Sequence, residues 1–227
     1  MIIGNGQLAK AFQKSKLKDN VCIFASGVSN SSCVDEEQFE RERKLLMDTL
    51  KSIGNKKFVY FSSCALSAPE YPKNDYYKHK ENMENTIKQY SKNYYIFRIP
   101  QLFGDLILHN TLINFIYKVI GHDHKFNVYD ESYRYVIEIN DVRKLVENYL
   151  DTPSCITVDL ANPYRYKVLD IVKIFEKLFG KKANYELVQK EDQYTLDLTS
   201  LEKFVKNKKI DIEFGEEYLV NKLREKL

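Results

Sequence analysis

A chain of 227 residues, 44% hydrophobic and 30% charged, has the size and composition of one well-buried soluble domain with room for a small appended lobe. A formal charge of +3, carried by 28 lysines and 7 arginines, argues against nucleic acid as a partner, because readout of base edges favours arginine. No apolar run approaches the roughly 18 residues of a membrane helix, and "MIIGNG" reads as strand and turn and not as a signal peptide, so neither membrane nor export is expected and the location is expected to be cytoplasmic.

Along the chain, short runs rich in Val, Ile, Phe and Tyr alternate with helical patterns. "MIIG" precedes the helix "QLAKAFQKS", and "VCIFAS" precedes the long charged helix "DEEQFERERKLLMDTLKSI". "KKFVYFSS" precedes a helix opening near Tyr76, "NYYIFRI" follows it, and "SCITVDL" comes later. Continuous apolar strands separated by helices predict an α/β fold, a Rossmann-like parallel sheet covered by helices on both faces. Ligands of such sheets bind beyond the carboxyl ends of the strands. After about residue 100 the alternation becomes irregular. "TLINFIYKVI" and "YKVLDIVKIFEKLFG" read as amphipathic helices, the second stopped by Gly180, and a polar, partly helical tail follows. The expected organisation is a single domain over 1–227: a core of about 1–100 plus a strand near 155–160, and a small C-terminal α+β substrate lobe from about 101–150 and 161–227.

Some polar features read as unremarkable. "DEEQFERERK" is most simply the wet face of a helix. His122 and His124 in "GHDHK" are joined by no carboxylate or cysteine cluster, so a solvated loop and no metal site is expected. The cysteines (Cys22, Cys33, Cys64, Cys155) form no CxxC pair and read as buried, reduced thiols.

"IIGNGQLA" places Gly4 and Gly6 between the first strand and first helix, with Ala9 in the third position of a G-x-G-x-x-G/A pattern. Such a turn brings backbone close to a pyrophosphate and aims a helix N-terminus at it. The acid that should follow about 20 residues on, to hold the adenine ribose, is missing. Counting from Gly6 reaches "VCIFASG", which ends in Ser26 and Gly27. Either a serine replaces the acid, tolerating a 2′-phosphate, or the ribose-binding strand is absent.

In the third helix, steps of four and three residues from Tyr76 reach Lys80, Met83, Ile87 and Tyr90, one apolar face carrying a lysine. Lysine is almost never buried without a partner. Two Y-x-x-x-K matches occur, Tyr76 to Lys80 and Tyr218 to Lys222, about the number chance supplies, so context decides between them. Tyr218 lies in the charged tail. Tyr76 follows Ser63, at the end of "FVYFSS", by 13 residues, and only this pair can reach the strand ends.

The segments "GNGQLA", "FASGVSN", "YFSSCAL", "YYKHK", "IFRIPQLFG" and "YRYVIEINDV", in that order over about residues 1–145, resemble the extended short-chain dehydrogenase/reductases, in the nucleotide-sugar epimerase, dehydratase and reductase branch. The resemblance implies an enzyme using NAD or NADP, with hydride transfer assisted by a Ser63, Tyr76 and Lys80 triad. Lys80 would bond the nicotinamide ribose and lower the pKa of Tyr76, which as general acid/base ordinarily titrates near ~10. Ser62 or Cys64 is selected in place of Ser63 by a one-residue slip of the match. The same resemblance assigns the cofactor to Gly4, Gly6, Gln7, Leu8, Ala25, Ser26, Gly27, Ser62, Tyr76, Lys80, Ile99 and Pro100. It assigns a nucleotide-sugar substrate to Ser63, Asn110 and Arg134, and it allows a homodimer.

Three departures qualify the implied activity. A strand like "VCIFASG" is the family's fourth, and here it follows the first helix directly, so the second and third strands are expected to be deleted. The missing acid then follows, with a weak preference for NADP. Ser67 and Tyr135 stand where the family usually has Tyr and Asp. A dehydratase would want acidic residues beside the serine, and "SSCALSA" has none, which leaves 4-keto reduction or 4-epimerisation. The rival from another class is a non-catalytic dinucleotide-binding or sensor protein of the same fold.

Overall fold

The structure, a computed structural model, describes every residue except 16, 18, 109 and 110. In chain order, β1 (Ile2–Ile3) leads to α1 (Gln7–Gln13), β2 (Val21–Phe24) to α2 (Glu36–Ser52), and β3 (Lys57–Ser63) to α3 (Asp75–Tyr90). Then come β4 (Tyr94–Ile99), β5 (Gln101–Phe103), α4 (Leu112–Gly121), β6 (Phe126–Arg134), β7 (Val136–Glu138) and α5 (Ile139–Tyr149). β8 (Ile156–Asp159), β9 (Tyr166–Lys167), α6 (Val168–Phe179), β10 (Tyr185–Asp192), α7 (Thr199–Lys208) and α8 (Tyr218–Arg224) complete the chain.

Five strands form one sheet in the order β1-β2-β3-β4-β8, every neighbouring pair parallel. Their side chains alternate between two buried layers, as the pleat requires. Val21, Ile23, Val59, Phe61, Tyr95 and Phe97 face a core shared with Phe12 of α1 and with Val142, Leu145 and Val146 of α5. Cys22, Phe24, Phe58, Tyr60 and Ile96 face Leu46 of α2 and Met83 and Ile87 of α3. Burying both faces is what makes these strands read as unbroken apolar runs.

The shortened sheet is seen directly. β1 pairs with β2 alone among the described strands and so forms an edge. Only residues 14–20 link α1 to β2, far fewer than the ~30 residues of a further strand-helix-strand unit.

Beyond residue 100 the structure departs from the sequence reading in several places. Residues 185–192, of which 188–192 read as the start of a polar tail, form β10, which pairs with β6 in a three-stranded sheet of order β10-β6-β9. β5 and β7 pair as a separate two-stranded sheet. Helix α5, expected in the lobe, packs against α1 on the parallel sheet, and its Tyr149 ring lies 5.7 Å from that of Phe97. Tyr218 is 2% exposed and no part of a solvated tail. Its hydroxyl donates to Asp141 Oδ2 at 2.8 Å and accepts from the Glu138 N–H at 2.9 Å, tying α8 to α5. Cys155 is exposed, unlike the other three thiols; burial pushes Cys22 up to about 11. Among the described residues no helix is long and apolar enough to cross a membrane.

Candidate functional site

The glycine turn, the β2–α2 loop and the end of β3 all lie at the carboxyl end of the parallel sheet, because those strands are parallel and in register. Gly4 has φ +117°, and a Cβ there would collide with the Ala25 carbonyl. That close passage lets Ala25 N–H donate to the Ile3 carbonyl at 2.8 Å and holds the two loops together. At Gly6 a Cβ would meet no heavy atom within 4 Å, and no side chain caps α1 there. The turn therefore has open space before the first N–H groups of a helix, which carry no intrahelical partner, and this fits a pyrophosphate. Gln7 and Leu8 are half-buried behind it, and the Gln7 Oε1 atom is buried without a hydrogen-bond partner among the described residues. Ala25, Ser26, Ile99 and Pro100 are all half-buried at neighbouring strand ends.

The partner of Lys80 is Glu42 of α2. Lys80 and Glu42 are 2% and 0% exposed, and Lys80 Nζ lies 3.1 Å from Glu42 Oε1. The carboxylate also accepts from the Val28 N–H at 2.7 Å and the Tyr60 hydroxyl at 2.7 Å, and His79 Nε2 sits 2.9 Å away. Burial would push the Glu42 carboxyl up, but Lys80 and these hydrogen bonds overcome it and hold the group far below its usual range. Gly27 lies against this pair: a Cβ there would stand 2.6 Å from Lys80 Nζ and 2.8 Å from Glu42 Oε1, so a side chain would have to displace their ends.

This changes the reading of Tyr76. Lys80 Nζ lies 5.8 Å from the Tyr76 ring centroid, and its charge is answered by Glu42. Burial, with Tyr77 and Glu42 nearby, pushes the Tyr76 phenol up and not down. The expected depression by Lys80 is not seen: burial dominates, and the Lys80 charge is shared with Glu42. Nor was Glu42 the wet residue that its surroundings in "DEEQFERERK" suggest. Steps of three, four and three residues from Phe39 give Glu42, Leu46 and Thr49, the buried stripe of α2, and tracing that stripe would have found it.

Among the three candidates at the end of β3, burial separates one. Ser62 is 4% exposed and lies beside Glu84, while Cys64 is fully buried with its thiol on the Arg98 carbonyl at 3.1 Å. Ser63 alone is half-buried; it caps the short turn 64–67, accepting from the Ala65 N–H at 3.4 Å. Ser67 turns inward, donating to Asp159 at 2.7 Å and accepting from Arg98 at 2.8 Å.

On the substrate side, Arg134 ends β6 and is ion-paired with Asp192 at the end of β10. Asn110 lies outside the described residues, as do Lys16 and Lys18 near the first helix. Two surface cavities of about 480 and 610 Å³ sit at the opposite, amino ends of the strands, away from all these groups. Among the described residues no cluster of His, Cys, Asp or Glu could hold a metal ion.

No family model matches the sequence, and none of the curated proteins does. Solved structures do match in fold. A dTDP-glucose 4,6-dehydratase from Bacillus anthracis in complex with NAD superposes with a TM-score of 0.73 at 14% identity, covering 96% of this chain and 75% of that one. A dTDP-4-dehydrorhamnose reductase from the same organism, in complex with NADP, gives 0.71 at 15% over 88% and 91% of the two chains. A UDP-glucose 4-epimerase from Thermus thermophilus, complexed with NAD, gives 0.68 at 13% over 97% and 82%. The chain has the fold of nucleotide-sugar dehydratases, reductases and epimerases. It is a Rossmann-like fold shortened at one sheet edge.

Proposed function

We propose that the protein is an NAD(P)-dependent oxidoreductase acting on a nucleotide-activated sugar, by 4-keto reduction or 4-epimerisation. The observation that carries this reading is the strand order β1-β2-β3-β4-β8, which gathers the open Gly4–Gly6 turn, the Ala25–Gly27 loop, Ser63 and the Tyr76 helix around one end of the sheet. The solved relatives in fold, crystallised with NAD or NADP, support the same class. A bound nicotinamide cofactor would supply or accept the hydride. The α1 backbone and Gly6 would hold its pyrophosphate, with Ile99 and Pro100 flanking the β4 end. Ser63 would hydrogen-bond the substrate oxygen, and Tyr76 would move the proton at that oxygen. Lys80 would reach the nicotinamide ribose only by sharing its charge with Glu42, so Glu42 would belong to the same working group.

One observation favours a second reading, a dinucleotide-binding protein without turnover: Glu42 neutralises Lys80, and the Tyr76 phenol is raised. The test is a fluorescence titration with NADH and NADPH, followed by cofactor oxidation against a panel of nucleotide 4-keto sugars. Binding with oxidation supports the enzyme; binding without oxidation by any sugar supports the second reading; no binding of either nucleotide removes both.

A further inference from the structure

Asp192 does two things at once. Its Oδ2 atom is ion-paired with the Arg134 guanidinium, and its Oδ1 accepts the Tyr71 hydroxyl at 2.7 Å. Arg134 Nη1 also donates to the main-chain oxygens of Tyr133 and Asp192, at 2.8 Å each. Arg134 and Asp192 come from β6 and β10 of the three-stranded sheet. Tyr71 comes from the segment between Ser63 and Tyr76. The contact therefore fastens the smaller sheet to the loop beside the candidate site.

Aromatic rings surround the clasp. Tyr71 meets Tyr194 edge-on at 5.1 Å and Tyr77 edge-on at 5.8 Å, and Tyr77 meets Tyr76 at 5.2 Å. The side chains of Arg134 and Asp192 are 18% and 22% exposed, so the pair is largely but not wholly withdrawn from water. A guanidinium fork among tyrosine rings suits a phosphate pair attached to a base or sugar. In this structure its charge is already met by one carboxylate. An incoming diphosphate would be repelled by Asp192 and would have to displace it from the guanidinium.

We propose that Asp192 is an internal competitor for Arg134, occupying the guanidinium in place of the diphosphate of a nucleoside diphosphate ligand. Tyr71 holds the competitor there, so ligand entry and release of the Tyr71 clasp are one event. This rests on the reading of Arg134 as a substrate-side residue of the proposed enzyme.

The experiment is a calorimetric titration of UDP and of dTDP into the wild type, Asp192→Asn, Tyr71→Phe, and Asp192→Asn combined with Arg134→Met. Asparagine keeps the shape and an acceptor for Tyr71, and the double variant leaves no unpaired charge, so both should fold; melting curves check this. Asp192→Asn should bind one of the two nucleotides at least tenfold more tightly than wild type. Tyr71→Phe, which frees the carboxylate without removing it, should give a smaller gain. The gain should vanish with Arg134→Met. Equal or weaker binding by Asp192→Asn, no detectable binding by it, or a gain that survives Arg134→Met overturns the proposal. NADPH titrated into the same samples separates the two readings: dinucleotide bound with no Asp192 effect sinks this inference alone.

Discussion

Glu42 of α2 and Lys80 of α3, 38 positions apart in sequence, form an ion pair at 3.1 Å with both side chains out of solvent. The two helices pack side by side on one face of the sheet. The pair answers why a lysine sits in an apolar stripe. It also ties the β2–α2 loop to the site through Val28 and Gly27.

Breaking such a pair from one side leaves a buried charge, which typically costs about 3–5 kcal/mol. Glu42→Ala and Lys80→Met should each show a loss of that order in urea denaturation. Glu42→Leu combined with Lys80→Met should recover much of it, short of full recovery because Val28 N–H and the Tyr60 hydroxyl lose their acceptor. A double variant as unstable as the sum of the singles would show that the two charges are not coupled.

The pH dependence of stability follows from the same group. Glu42 and Glu84 are both held below the usual 4.5, the first by Lys80 and its hydrogen bonds, the second by Arg98. A depressed carboxyl contributes stability that is present above its unfolded pKa and is lost as pH falls toward the folded value. Stability should therefore decline progressively below about pH 4.5. In Glu42→Gln the decline should be shallower; an acid limb identical to wild type would contradict the assignment.

Tyr76→Phe tests the proposed chemistry. NADPH affinity should stay nearly intact while turnover falls by roughly 10²–10⁴-fold. Unchanged turnover would remove Tyr76 as the acid/base.

Tyr218→Phe is the contrasting case within the same Y-x-x-x-K pattern. Its hydroxyl serves Asp141 and Glu138 N–H in the core, so its loss should lower stability by about 1–3 kcal/mol. Turnover per folded molecule should not change. A drop in turnover without a drop in melting temperature would reverse the roles of the two tyrosines.

Cofactor choice tests the shortened sheet. With β1 at the edge and no acid at the end of β2, nothing in the usual place repels a 2′-phosphate. Titration should find NADPH bound at least as well as NADH. A preference for NADH of tenfold or more, about 1.4 kcal/mol, would mean that another group holds the ribose hydroxyls.

The parallel sheet and its two helical layers were legible in the sequence, because burial on both faces leaves unbroken apolar runs. The shortening was legible only through the family resemblance, and in the structure seven residues link α1 to β2. β10 was not legible: it lies mostly exposed, so it carries no apolar alternation to distinguish it from a polar tail. The second tyrosine-lysine pair was misplaced for the opposite reason, its few apolar neighbours being buried by contact with α5 and not by its own pattern. The candidate residues themselves, Gly4, Gly6, Ser63, Tyr76 and Lys80, could be named from local motifs. What each one faces could not. Glu42 meets Lys80, and Arg134 meets Asp192 and through it Tyr71, only because helices and sheets distant in sequence dock against one another. A charge is defined by its type, which the sequence records, but its effect is defined by the charge opposite, which only tertiary packing supplies.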